Sequence, residues 1–444
     1  MKKATLEATD ENVLQSIADK MGNRNARILE FIKTMDSIED NRFICLDARW
    51  GAGKTFYVRQ IEKTLEYQML RKFHPEDARY KDMTFFFEGT ALKEIELEHS
   101  YLPVYYNAWL YDSHSDPLMS LLHVVAKKSG NYVNTTTREK ISDRLRKLLS
   151  AFSMSIQYKN FFQMSLDCEK ISKVFENMDL LEAIKTSEEV REKIKGVFDS
   201  VIVENTQKLI IFIDELDRCR PSYALEMLER IKHYFDDDRI IFLLSINKEQ
   251  LAHTIKNYYG NEFDSTGYLN KFFDLEAHFP ELQTNDTKID TNNSDQYFLN
   301  LISNMLVRYY RLTRRDFLIY REKINSLGVC EDFNDYSLEG TCLSLFVPIL
   351  IILDMRSAAE KRKFLDGDSK ILEILKMLPE GQFLYQNFGL SEYAQNEKME
   401  EGYTRFKLIY DFLFGNSYGE DLRHMKIEIR RDFKQQILKY YGQI

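Results

Sequence analysis

One stretch limits this chain more than any other. A β-type run, Arg42-Phe43-Ile44-Cys45-Leu46, leads into Asp47-Ala48-Arg49-Trp50-Gly51-Ala52-Gly53-Lys54-Thr55, and a helical pattern with Val58, Ile61 and Leu65 on one face follows. Strand, glycine-rich loop and helix in that order form the setting of a phosphate-binding loop. A small residue, Ala48, is followed by four others and then Gly53-Lys54-Thr55. Glycines let backbone N–H groups turn toward a phosphate, and the positive end of the following helix adds to the field there. On this pattern Arg49, Trp50, Gly51, Ala52, Gly53, Lys54, Thr55 and Phe56 are the nucleotide-binding stretch. Lys54 brings a point charge to the β and γ phosphates and the Thr55 hydroxyl is a Mg²⁺ ligand.

A second signal lies far downstream. Leu209-Ile210-Ile211-Phe212-Ile213 is a continuous apolar run, expected as a buried parallel strand, and it ends in Asp214-Glu215-Leu216-Asp217-Arg218. Asp214 is the expected metal carboxylate and Glu215 the residue that polarises an attacking water. Arg218 has two open readings, a structural salt bridge or an arginine reaching a neighbouring subunit's nucleotide. The next apolar run, Ile240 to Ile246, closes on Asn247, which reads either as a γ-phosphate sensor or as the cap of the helix after it.

Further strand-like runs fall at Met83 to Phe87, Val104 to Asn107 and Phe272 to Phe279, and residues 11 to 38 read as helical. Strands separated by helices predict an α/β fold, a parallel sheet flanked by helices. The expected organisation is a nucleotide domain over 1–280 with a helical insertion at about 116–200, a polar linker at 281–294, and an all-α C-terminal unit over 295–444.

The sequence resembles the KAP family of P-loop NTPases. The shared pieces are Trp50-Gly51-Ala52-Gly53-Lys54-Thr55, then Asn107-Ala108-Trp109, then Asp214-Glu215-Leu216-Asp217-Arg218-Cys219 with Pro221. The resemblance implies an additional-strand P-loop core related to AAA+ and STAND ATPases, with a helical C-terminal lid. It departs from the family pattern at Ala48, where glycine is usual, and at Asn247, where aspartate is usual. The family often shows Asn-Pro-Arg on the lid; here Leu312-Thr313-Arg314-Arg315-Asp316 stands in that place, so Arg315 or Arg314 is the sensor candidate. Bacterial members are associated with phage defence or mobile elements, which supplies context for this chain.

The expected activity is Mg²⁺-dependent ATP hydrolysis driving a conformational or assembly switch. The alternatives are a P-loop kinase acting on a small molecule and a nucleotide-binding interaction module with little turnover. ATP is favoured over GTP because Asn247-Lys248-Glu249-Gln250 lacks the final Asp of a guanine-reading motif. Expected partners are the nucleotide and a second copy or another protein. A net charge of −9 argues against a global grip on nucleic acid. Local candidates are Arg308, Arg311 and Arg315, read as one helix face beside Tyr309 and Tyr310, whereas a basic helix from His424 to Lys439 reads as a solvated face. Five scattered cysteines fit reduced thiols in a cytoplasm, with Cys45 and Cys342 as core residues. The longest apolar run, Leu343 to Leu353, is about half a membrane span, carries Pro348, and reads as a buried helix.

Overall fold

A computed structural model describes residues 7–20, 24–38, 42–114, 116–133, 135–155, 191–200, 202, 206–279, 288–291, 293–335, 337–368, 370–388, 395–415, 422, 427–430 and 432–442. They fall into two compact units divided between 281 and 282.

The N-terminal unit is built on five parallel strands: β1 (Arg42–Asp47), β2 (Tyr101–Asn107), β3 (Lys208–Asp214), β4 (Ile240–Ile246) and β5 (Leu275–His278). Their order across the sheet is β2-β3-β4-β1-β5. An extra strand, β4, thus separates the strand before the phosphate loop from the strand that ends in Asp214, as an additional-strand P-loop core requires. Every residue of β3 and β4 is buried, which explains their unbroken apolar runs. The register brings the strands' carboxyl ends into one row: Asn107 lies opposite Asp214, Asp214 opposite Ser245, and Asp47 opposite Ile246. Loops leaving this edge converge where an open parallel sheet binds its ligands.

Two local expectations are corrected here. Residues 83–87 are not a strand; they complete the helix Ala78–Phe87. Asp77 caps it by accepting from the Arg79 N–H at 2.9 Å, and Met83 and Phe87, four residues apart, are buried on one face. The aromatic run that suggested a strand leaves Phe85 74% exposed. The helical reading of residues 11–38 corresponds to two helices, Asp10–Ala18 and Arg24–Asp36, with Lys20 at a positive φ of 50° after the first. β2 begins at Tyr101, three residues earlier than the expected run. Within 116–200, the helices Pro117–Ser129 and Thr135–Ser155 and helical residues 191–200 are described; 156–190, including Cys168, lie outside the described residues.

The second unit is helical. Its core is the helix Leu338–Arg356, buried from Gly340 to Leu353 and surrounded by Tyr297–Tyr309, Arg314–Leu327, Ala358–Leu365 and Phe433–Gly442. Among the described residues this is the one helix long and apolar enough to cross a membrane, and 78% of its apolar window is buried inside the protein. Cys45 and Cys342 are both core residues. Within the segment read as a linker, Ile289 is fully buried in the helical unit's core; 281–287 lie outside the described residues.

Candidate nucleotide site

β1 ends in Asp47, and the chain turns at once. Ala48 N–H donates to the Ile246 carbonyl at 3.2 Å, and Ala52 N–H donates back to the Arg49 carbonyl at 3.3 Å. Gly51 and Gly53 take φ of 81° and 95°, the left-handed region where a side chain would strain the turn. Ala48 is not among the residues with positive φ, so alanine in place of the usual glycine imposes no backbone strain there. The helix Lys54–Phe73 starts directly after Gly53, so its first turn carries both Lys54 and Thr55.

The Lys54 ammonium donates to the Ala48 carbonyl and, at 3.5 Å, to the Arg49 carbonyl. Burial lowers its pKa, while the carboxylates of Asp217, Asp214 and Asp47 push the other way. It is a buried cation surrounded by acids and able to exchange loop carbonyls for a phosphate.

Asp214, at the end of β3, is 1% exposed. Burial pushes its carboxyl above the usual range, and the hydroxyls of Thr55, Ser245 and Tyr105 pull the other way. The Tyr105 hydroxyl donates to Asp214 Oδ2 at 3.0 Å, and the Glu215 N–H donates to Oδ1 at 3.0 Å. Arg59 lies over the Tyr105 ring at 4.5 Å.

Glu215 has φ of 61°, a conformation that costs a non-glycine residue about 1–3 kcal/mol and clusters at functional sites. Two groups hold its carboxylate there. Asn107 Nδ2 donates to Oε2 at 3.1 Å and Arg218 pairs with Oε1 at 3.0 Å. Asn107 Oδ1 meanwhile caps the short helix Ala108–Tyr111. Burial raises the Glu215 pKa, Arg218 opposes that, and Asp214 adds to it. Within the chain Arg218 makes this salt bridge, with its guanidinium 5.6 Å from the Trp109 ring centroid.

Asp217 and Arg218 do not pair with each other. Asp217 Oδ2 accepts from Trp50 Nε1 at 2.6 Å and from the Asn247 N–H at 2.8 Å. The Asn247 side chain caps the helix Lys248–Tyr259, accepting from the Gln250 N–H at 3.2 Å. Lys54, Thr55, Asp214, Glu215, Arg218 and Asn247 thus lie along one edge of the sheet. Arg49 is exposed at the loop and Phe56 is half-buried in the first helical turn.

Arg315 is an exposed residue of the helical unit, in the first turn of Arg314–Leu327. Arg308, Arg311 and Arg315 do not share a helix face. One helix ends at Tyr309, Arg311 takes a positive φ of 46°, and Thr313 caps the next helix. Arg308 is paired with Glu380. The second basic helix begins at Phe433; His424 lies outside the described residues.

The profile of the KAP family P-loop domain matches residues 23–300. The chain belongs to the KAP family of P-loop NTPases. The match covers more than half of the chain, including the phosphate loop, Asn107 and the Asp214–Arg218 turn. No curated protein matches the chain. Sequence reading of this KAP protein missed Tyr105, Asn107 and the grip of Asp217. The Asn-Ala-Trp motif was a signal for Asn107, but a contact across paired strands is not visible along the chain.

The residues present fit a magnesium nucleotide. Thr55 hydroxyl and Asp214 carboxylate are hard oxygen donors brought together, and Mg²⁺ is usually held by one or two carboxylates together with substrate phosphates. No cluster of three or more His, Cys, Asp or Glu suited to a metal occurs among the described residues, so the phosphates would complete the set.

Proposed function

We propose that this chain hydrolyses ATP with Mg²⁺ at the carboxyl edge of its parallel sheet and uses turnover as a conformational or assembly switch. The observation that carries the reading is Glu215. It is a partly buried carboxylate adjoining Asp214, fixed by Asn107 and Arg218 in a backbone conformation that an ordinary turn avoids.

Loop N–H groups and Lys54 would bind and orient the phosphates. Thr55 and Asp214 would hold the cation, which when bound supplies charge neutralisation at the phosphate oxygens. Glu215 would accept a proton from water at a carboxylate oxygen as the water oxygen bonds to the γ phosphorus. The bond from that phosphorus to the bridging oxygen then breaks, giving ADP and inorganic phosphate. Its raised pKa makes it a better base than a solvated carboxylate. Asn107 would orient it, and Tyr105 would orient Asp214. Water as the acceptor is favoured over a kinase substrate by the Asp214-Glu215 pair, a candidate base directly beside the metal carboxylate.

Phosphate release from ATP and Mg²⁺ by the purified chain, with Lys54→Ala beside it, tests the reading. Release that Lys54→Ala abolishes supports it. Lys54-dependent binding without release would replace hydrolysis with a nucleotide-binding module.

A further inference from the structure

Asp217 occupies a position that the hydrolytic chemistry itself does not require. It lies in the short turn Leu216–Arg218 after β3, and its carboxylate is buried. One oxygen, Oδ2, receives two N–H groups from loops far apart in the chain: the Trp50 indole at 2.6 Å and the Asn247 backbone at 2.8 Å. Trp50 belongs to the loop after β1 and Asn247 to the loop after β4, and β4 lies between β1 and β3. One carboxylate therefore joins the three loops that leave the middle of the sheet. A second tie closes the same belt, since Lys248 N–H donates to Asp47 Oδ1 at 2.8 Å.

Trp50 itself is 46% exposed, so apolar burial does not explain its orientation. Its indole N–H bonded to an ionised acceptor is a short, directional contact of the strong kind. Asp217 is also the foremost of the negative charges acting on the Lys54 ammonium. The same side chain thus bears on the shape of the phosphate loop and on the charge that loop presents.

We infer that Asp217 is a positioning residue for nucleotide binding: through the Trp50 indole it holds the phosphate loop in its binding shape before ligand arrives. The inference rests on the reading of residues 48–55 as a phosphate loop. A loop held in its bound conformation avoids an ordering cost on binding, so loss of the anchor weakens affinity without removing a group that touches the reacting atoms.

The test is a set of equilibrium titrations with Mg-ATP on the full chain, together with turnover. Trp50→Phe keeps an aromatic six-membered ring and loses the N–H; it weakens binding about tenfold, with a smaller change in kcat than in KM. Asp217→Ala weakens binding at least as much. The double variant binds about as Asp217→Ala does, because the two side chains act as one unit. Asp217→Asn keeps a carbonyl acceptor and recovers part of the loss. The chain has two tryptophans, so Trp109→Phe isolates Trp50, whose emission shifts when Asp217→Ala is added. Wild-type affinity in both folded single variants, strictly additive losses, or an emission that ignores Asp217 would overturn the inference. Lys54→Ala separates the two levels. If it too binds normally, the phosphate-loop reading falls; if it alone loses binding, only the role of Asp217 falls.

Discussion

Two helices of this protein are enclosed on nearly all sides, yet they are enclosed differently. Leu338–Arg356 buries an almost unbroken apolar run and packs in the centre of the helical unit. Lys54–Phe73 buries Gln60, Glu62, Lys63, Thr64, Glu66 and Gln68 alongside its apolar residues. Its charges are matched: Glu66 meets Lys63 at 3.0 Å, Lys128 at 2.9 Å and the Tyr132 hydroxyl, and Lys63 reaches Asp10 at 2.7 Å. Apolar contact is non-directional and tolerates a small rotation of a helix, whereas paired charges and hydrogen bonds do not. The helix that must aim Lys54 and Thr55 at one point is the one held by directional contacts. The helix at the centre of the second unit is held by apolar packing.

The sharpest way to break this comparison is at the first residue of the polar helix. Lys54→Ala is expected to lower turnover by about 100-fold or more, because it removes the charge meant for the phosphates; the rate of phosphate release checks it. Next in size are two matched lesions. Glu66→Gln should cost about 3 kcal/mol by leaving Lys63 and Lys128 short of a buried counter-charge, and it should also weaken Mg-ATP binding. Leu350→Ala should cost about 3 kcal/mol through the cavity it leaves, with affinity for Mg-ATP kept. Denaturant unfolding and nucleotide titration of both variants check the pair, and equal effects on affinity would dissolve the contrast.

A smaller effect concerns acid. Although burial pushes the Glu66 carboxyl up, Lys128, Lys63 and the Tyr132 hydroxyl hold it well below its ordinary value. Its stabilising contribution is therefore complete above the ordinary carboxylate range and is lost as pH falls through the lowered value. Acid titration followed by circular dichroism should show wild type losing stability toward low pH by more than Glu66→Gln loses. The Glu215 carboxyl moves the opposite way. Burial raises its pKa, so the acidic limb of turnover should lie above the range of an exposed glutamate, and the pH profile of phosphate release measures where it lies.

Much of the frame was legible in the chain itself. β1, β3 and β4 are apolar runs closed by acid or amide residues, and buried parallel strands have that signature. Glycines 51 and 53 announced a turn that needs positive φ. What escaped reading has physical causes. Three consecutive phenylalanines at 85–87 look like a strand, but capping by Asp77 and the burial of Met83 with Phe87 make a helix. The burial of Glu62, Lys63 and Glu66 has no local signal because their partners, Asp10 and Lys128, come from distant helices. The Asn107–Glu215 contact depends on the register of β2 against β3, which no local pattern encodes. Arg308, Arg311 and Arg315 fit a helical spacing that the turn at Arg311 interrupts.

The most direct measurement is phosphate release from ATP and Mg²⁺ by Glu215→Gln against wild type, with Mg-ATP affinity measured on the same samples. The account predicts release lowered by about 100-fold or more with affinity preserved. Release equal to wild type at preserved affinity would contradict Glu215 as the group that takes the proton from water.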